Sequence, residues 1–411
     1  MHQGMKARLA VAAVGVALLA GGCSGSASDE ASSNGGGDSE ALRIGVTAPQ
    51  TGPYALYGKE QIAGVQFAVD QANANGGVDG RKVELKIADD LGTAEGAIAV
   101  SQRMTQRDGI KFLTGMVSSP EIAAVAPKLE SLGAVMIGVQ ALSNDFTGKD
   151  CTPNFFRTTM SARVDMNGIA AFMKDHPEIK EWDTLGADYS FGQDSAAGVK
   201  AVAEELGVKV NKQLLAPLGT TDFGSYISQL TGRGGLIVAN AGSDAVSFFK
   251  QAKQFGLLEK YDLVMSDAGM HSSVLEAIGD PSMEGVWATT NWEPRLDSEA
   301  NVEFVKAYTE KVGTPPTTNV GNSYVAMQFL FAAVTKAKSV DPLKVREAMN
   351  GLTFDSINGE LTMSADDHQI KAPMYVAQVT KGEDGKLGLD PSFVVPASVN
   401  NPEPDPACNM K

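Results

Sequence analysis

The residues able to do chemistry are thinly spread along this 411-residue chain, and few stand where they could act together. The four histidines, His2, His176, His271 and His368, have no partners at useful spacing. No GxSxG elbow, HExxH helix, P-loop or paired-cysteine ligand set occurs. Adjacent carboxylates at Asp89-Asp90 and Asp366-Asp367 invite an acid–base reading, but neighbours on a strand point to opposite faces, which leaves one of each pair to solvent. The chain is expected to be neither an enzyme nor a holder of a metal or other cofactor. Polar and aromatic groups concentrate instead just after short apolar runs. Ser118-Ser119-Pro120-Glu121 reads as a helix start, with Ser at the cap, Pro at the first helical position and Glu in the first turn. Such a start leaves backbone N–H groups facing outward for a carboxylate or another acceptor, with Glu121 competing for the same positive end.

The elements that would carry these groups alternate regularly. IGVT, from Ile44, is a strand ended by Pro49, Gly52 and Pro53. Apolar side chains at Ile62, Val65, Phe67, Val69 and Ala72 then recur at helical spacing up to Asn75-Gly76-Gly77, and VELKIADD follows as a second strand. Strand, helix and strand make a right-handed βαβ unit, and open α/β sheets bind ligands at the C-terminal ends of their strands. The same alternation continues through IKFLTGMV and AVMIGV. After FFRTTMS a fresh series begins with GIAAFMKD, DTLGADYS and FGQDSAAGVKAVAEELG, and runs on through GGLIVANAG and YDLVMSDAG to GVWATTNW.

The ends and the composition bound the class. Lys6 and Arg8, the apolar run LAVAAVGVALLA and then Gly21-Gly22-Cys23 form a secretory signal too short to span a bilayer. Its small residues before Cys23 resemble the lipobox of bacterial lipoproteins, which implies acylation of Cys23. SGSASDEASSNGGGDSE has too little apolar surface to offset its ordering entropy and is expected to be a flexible tether. About 370 residues remain, more than one core usually serves, so two lobes are expected. A net charge of −15 argues against nucleic acid as a partner. In an exported chain the two remaining cysteines, Cys151 and Cys408, are a candidate disulfide that would staple the tail PEPDPACNMK to the region after the fourth strand.

The block TGPYALYG followed by AGVQFAVDQANANGGVDGRKVELKIADD closely resembles the opening of leucine/isoleucine/valine-type periplasmic solute-binding proteins, and further motifs follow in order from about Leu42 to Leu389. The resemblance implies a type I binding protein: two Rossmann-like α/β lobes, parallel sheets flanked by helices, and a hinge crossed three times. The expected layout is a signal peptide over 1–22, a lipidated tether over 23–41, a first lobe over 42–160 and 290–363, a second over 161–289 and 364–400, and a tail over 401–411. It also implies a monomer, lipid-anchored on the extracytoplasmic face of the cell membrane, delivering its ligand to ABC permease subunits that are driven by separate ATPase subunits. A ligand-sensing lobe that signals instead of delivering cargo is the alternative.

The family's ligand positions carry over onto Tyr57, with Tyr54 as an alternative, and onto Ser119, with Ser118 one register away. Gln140, Ala141 and Leu142 match the next contact loop, where Leu142 replaces a Thr and Gln140 adds an amide. Phe191 matches an aromatic that closes over the ligand but lacks the usual Tyr hydroxyl, and Asn240 and Ala241 match a further loop. Ala268 falls on the family's ammonium-binding acid, with Asp267 adjacent. Two ligands are therefore expected as alternatives. One is a branched or apolar amino acid held at its ammonium by Asp267. The other is an aromatic or aliphatic carboxylate or amide that has no ammonium.

Overall fold

The computed structural model describes residues 40–382, 385–400 and 403–410; the signal segment, Cys23 and nearly all of the tether lie outside them. Strands β1 (Leu42–Thr47), β2 (Val83–Ala88), β3 (Phe112–Gly115), β4 (Val135–Gly138) and β5 (Phe155–Arg157) form a five-stranded parallel sheet in the order β2-β1-β3-β4-β5. The apolar runs seen in the sequence are buried on both faces, as a helix-covered parallel sheet requires. Ile44, Val46 and Ile137 pack with Val65 and Phe329 on one face, while Leu113 and Met136 pack with Ala97 and Ile122 on the other. The helix Ala55–Ala74 begins hard against the loop after β1. A Cβ at Gly58 would stand 1.9 Å from the Pro49 carbonyl oxygen, so only glycine lets the helix start there.

The second sheet is built likewise from β6 (Glu181–Ala187), β7 (Lys209–Ala216), β8 (Gly235–Ala239), β9 (Leu263–Ser266) and β10 (Trp287–Thr290), parallel in the order β10-β9-β8-β6-β7. A small antiparallel sheet of β11 (Thr353–Ser356), β12 (Gly359–Met363) and β13 (Ile370–Lys371) precedes β14 (Met374–Lys381) and β15 (Leu387–Val395), which extend the second sheet antiparallel beyond β10. The chain thus passes between lobes after β5, after β10 and after β13.

The third passage departs from the sequence expectation. Residues 364–372 stay with the first lobe instead of opening the second at 364, because Leu361, Met363, Ile370 and Ala372 join the core around Phe329. The passage falls at Ala372-Pro373, just before β14.

The first and third passages are tied together by Arg157, which is fully buried. Its backbone N–H donates to His368 O at 3.0 Å, its Nε to Gln369 Oε1 at 2.7 Å and its Nη1 to Ser143 O at 2.6 Å, while Nη2 donates to the Thr147 hydroxyl. Burial pulls this guanidinium down to about 9, which leaves it charged at neutral pH.

Cys151 and Cys408 are disulfide-bonded, with Cα atoms 5.4 Å apart across 257 residues of sequence, so the tail is held to the loop after β4. Because closing so long a loop restrains the unfolded chain, the Cys151→Ser, Cys408→Ser double variant is expected to lose about 2–5 kcal/mol of stability. Denaturant unfolding under non-reducing conditions reads this, and an unchanged midpoint would remove the disulfide from the account.

Candidate ligand site

The loops at the C-terminal ends of six strands, β1, β3 and β4 of one lobe and β6, β8 and β9 of the other, converge on one cavity between the lobes. This is where the topology of open α/β sheets places ligands. From the first lobe, Tyr54, Tyr57, Ser119, Gln140, Ala141 and Leu142 line it, together with Val117. From the second come Phe191, Ala241, Tyr189 and Ala268. The space they enclose is about 20 Å³, room for about one water molecule. A larger open hollow of about 330 Å³ lies at the opposite, N-terminal ends of β1 and β3. Arg43, Arg81 and Lys111 on its rim already donate to Asp108 O, Asp79 and Leu132 O.

The two serines, interchangeable on sequence, are separated by their hydrogen bonds. Ser118 is the helix cap: its N–H and its hydroxyl both donate to Glu121 Oε2, at 2.8 and 2.7 Å, and it does not line the cavity. Glu121 therefore claims both donors of Ser118. Burial first, and then the Asp90 carboxyl beside it, push Glu121 up to about 8. Ser119 accepts from Ser143 N–H at 3.3 Å, which leaves its own hydroxyl proton directed elsewhere, and it lines the cavity.

The lobes touch through polar contacts around this cavity. The Tyr54 and Tyr189 hydroxyls are 2.8 Å apart, one from each lobe. Two hydroxyls share one hydrogen bond between them, so one proton is left to donate. Tyr57 donates to Gly269 O at 2.9 Å, and Asp194 accepts from Asn144 N–H at 2.8 Å and from the Ser143 hydroxyl at 3.3 Å. Gly242, at φ +59, presses on Pro53 and Tyr54: a Cβ there would lie 2.6 Å from Pro53 O. Burial raises the phenol pKa of Tyr54, Tyr57 and Tyr189, so all three remain protonated donors. His271, its ring centroid 4.9 Å from that of Tyr57, is pulled down to about 4 by burial and is neutral.

Besides Ser118, two expected site residues do not reach the cavity. Asn240 is buried behind it, and its amide has no hydrogen-bond partner among the described residues. Asp267 is fully buried but turned into the second lobe, where Oδ2 accepts from the Ser195 hydroxyl. Ala268, in the left-handed region at φ +50, presents its methyl to the cavity in the acid's place. Tyr189 and Val117 were missed. Tyr189 sat in the sequence at the end of the run DTLGADYS, where it reads as a turn residue, yet it supplies the hydroxyl that Phe191 lacks. No acidic or basic side chain lines the cavity, and no group of three or more His, Cys, Asp or Glu able to hold a metal occurs among the described residues.

Comparison with known proteins agrees with this architecture. Residues 41–386 match the family described as periplasmic binding protein. The leucine-, isoleucine-, valine-, threonine- and alanine-binding protein of Pseudomonas aeruginosa is 30% identical over 324 residues, covering 78% of this chain and 85% of that protein. The solute-binding protein of an ABC transporter from Rhodopseudomonas palustris BisB5, solved in complex with 3,4-dihydroxybenzoic acid, superposes with a TM-score of 0.81 at 22% identity, over 87% of this chain and 98% of that one. The leucine-, isoleucine-, valine-, threonine- and alanine-binding protein of Brucella ovis, in a closed conformation, gives 0.79 at 22% identity, over 91% and 100%. With two type I lobes meeting on a cavity at their strand ends, the chain belongs to the periplasmic binding protein family, the solute-binding proteins of ABC transporters.

Proposed function

We propose that this protein captures a small acid with an apolar body and no ammonium group, and passes it to an ABC importer. The observation that carries the reading is Ala268 in the cavity wall while Asp267 points away. An alkylammonium closed into this site would have no ionised partner, and an unpaired charge in a closed cleft costs several kcal/mol. A carboxylate has neutral donors to meet: the Ser119 hydroxyl, the spare tyrosine proton and the Gln140 amide. The rings of Tyr54, Tyr57 and Phe191 suit an aromatic or branched body. The Rhodopseudomonas protein's dihydroxybenzoic acid is in keeping with this class.

The lobes must part to admit such a molecule, since about 20 Å³ holds none of them. Ligand bound to one lobe gains the other lobe's contacts only on closure, and that difference in contact stabilises the closed form. The composite surface so formed engages permease subunits, with energy supplied by separate ATPase subunits. A monomer tethered through acylated Cys23 at the extracytoplasmic membrane face fits this role, and no catalytic step is needed for it.

Ligands that bind only the native state raise the melting temperature by mass action. Benzoate, phenylacetate or 4-methylvalerate is expected to raise it, and valine and phenylalanine to leave it nearly unchanged; the reverse pattern would overturn the reading. Ala268→Asp should reverse the preference, because Asp tolerates the left-handed backbone and restores an acid to the wall; if the variant still prefers acids, the wall residue does not set the choice. Tyr189→Phe, which removes one cross-lobe hydrogen bond, should weaken acid binding about 2–10-fold by calorimetry, whereas unaltered binding would take the tyrosine pair out of the closed state.

A further inference from the structure

Behind the second-lobe wall lie two carboxyls that the ligand-binding account does not use. Asp165 stands in the helix Ala162–Asp175, directly after the first passage between lobes, and Asp267 follows β9; both are fully buried. The Oδ1 atom of each is buried with no hydrogen-bond partner among the described residues, and the two carboxyls lie close enough for the charge of Asp267 to add to burial in raising Asp165. Around them the contacts run outward in a chain. The Ser195 hydroxyl, from the helix that begins with Ser190 and Phe191, donates to Asp267. The Thr289 hydroxyl, from β10 beside the second passage, donates to Asp165 Oδ2 at 3.0 Å. Thr289 in turn accepts the Ala268 N–H at 2.9 Å. Each carboxyl's ionisable neighbour is the other; the packed elements otherwise offer it the hydroxyls of Ser195 and Thr289. Two contacting carboxylates cannot both ionise in a dry interior without a cation, so one retains its proton and bridges to the other.

We propose that Asp165 and Asp267 form a proton-bridged pair that positions the ligand-facing wall of the second lobe, holding Ala268 in the cavity and Asp267 out of it. The role rests on the acid-binding reading above and extends it, since the pair explains why an acid next to the site does not serve an ammonium. The pair links both hinge-proximal elements to the wall, so it also fixes how that wall meets the first lobe on closure. Burial, followed for Asp165 by its partner's charge, raises both carboxyl pKa values. The stabilisation is therefore fully present at low pH and is lost as pH rises through the raised values.

Infrared difference spectra of the full protein at neutral pH test the proton directly and need no ligand. Wild type minus Asp165→Asn, and wild type minus Asp267→Asn, should each show the C=O stretch of a protonated carboxyl; no such band in either overturns the pair. Calorimetry with benzoate, phenylacetate and 4-methylvalerate then tests positioning. Asp267→Ala should lose about 10-fold or more in affinity for the acid that binds wild type best, with Asp267→Asn restoring it to within about 3-fold, since the amide keeps the hydrogen bonds. Wild-type stability should also decline on the alkaline side more steeply than that of Asp165→Asn. Equal affinity in Asp267→Ala and wild type, or no rescue by Asn in a folded variant, overturns the positioning role. If the infrared band is present but wild type binds none of the acids, the acid-binding reading and the positioning role both fail while the proton bridge stands.

Discussion

The buried guanidinium of Arg157 is the interaction on which the site depends. A charge taken out of water must be met by hydrogen bonds or it costs several kcal/mol. Here the acceptors come from two separated parts of the chain, Ser143 O and the Thr147 hydroxyl in the loop after β4 and Gln369 just before β13, and they meet on the passage strand that carries Arg157. That loop supplies Ala141 and Leu142 to the cavity and Ser143 and Asn144 to Asp194 across the cleft. Meeting the cation's needs thus fixes the ligand loop against two of the three passages between lobes. A lysine, with one compact ammonium, could not make the same forked set.

The cavity itself is built without formal charge, and charge sits just behind its walls instead. Glu121 and Asp90 lie under the capped helix start of the first lobe, and Asp165 and Asp267 under the loop of the second. Both are carboxyl pairs in dry surroundings, where neutralisation by protons is cheaper than ionisation. The cavity surface then acts through hydroxyls, an amide and rings, which select by shape and by the number of hydrogen bonds. The Tyr54 and Tyr189 hydroxyls meet from opposite lobes, so the same groups that face the cavity also join the lobes.

Most of the fold could be read in the sequence because its strands are short apolar runs with Gly, Pro or Asp at their ends, and its helices carry regular apolar spacing. The third passage was placed early for a physical reason. β13 and β14 follow one another as similar strands, and only the packing of Ile370 and Ala372 with Phe329 and its neighbours keeps β13 in the first lobe. The site was readable as a set of loops but not as a set of side-chain directions. Whether Ser118 or Ser119 faces the cavity turns on Glu121 claiming the former. Whether Asp267 or Ala268 does turns on a left-handed alanine, a conformation that alanine does not advertise. Tyr189 was hidden in a turn because its role exists only across the cleft.

The central claim, that the cleft closes on an acid lacking an ammonium, is tested most directly by small-angle X-ray scattering of the protein titrated with 4-methylvalerate and, separately, with leucine, which differ only in the α-ammonium. The account predicts a saturable fall in the radius of gyration with 4-methylvalerate and none with leucine at the same concentrations. Compaction by leucine alone would contradict it.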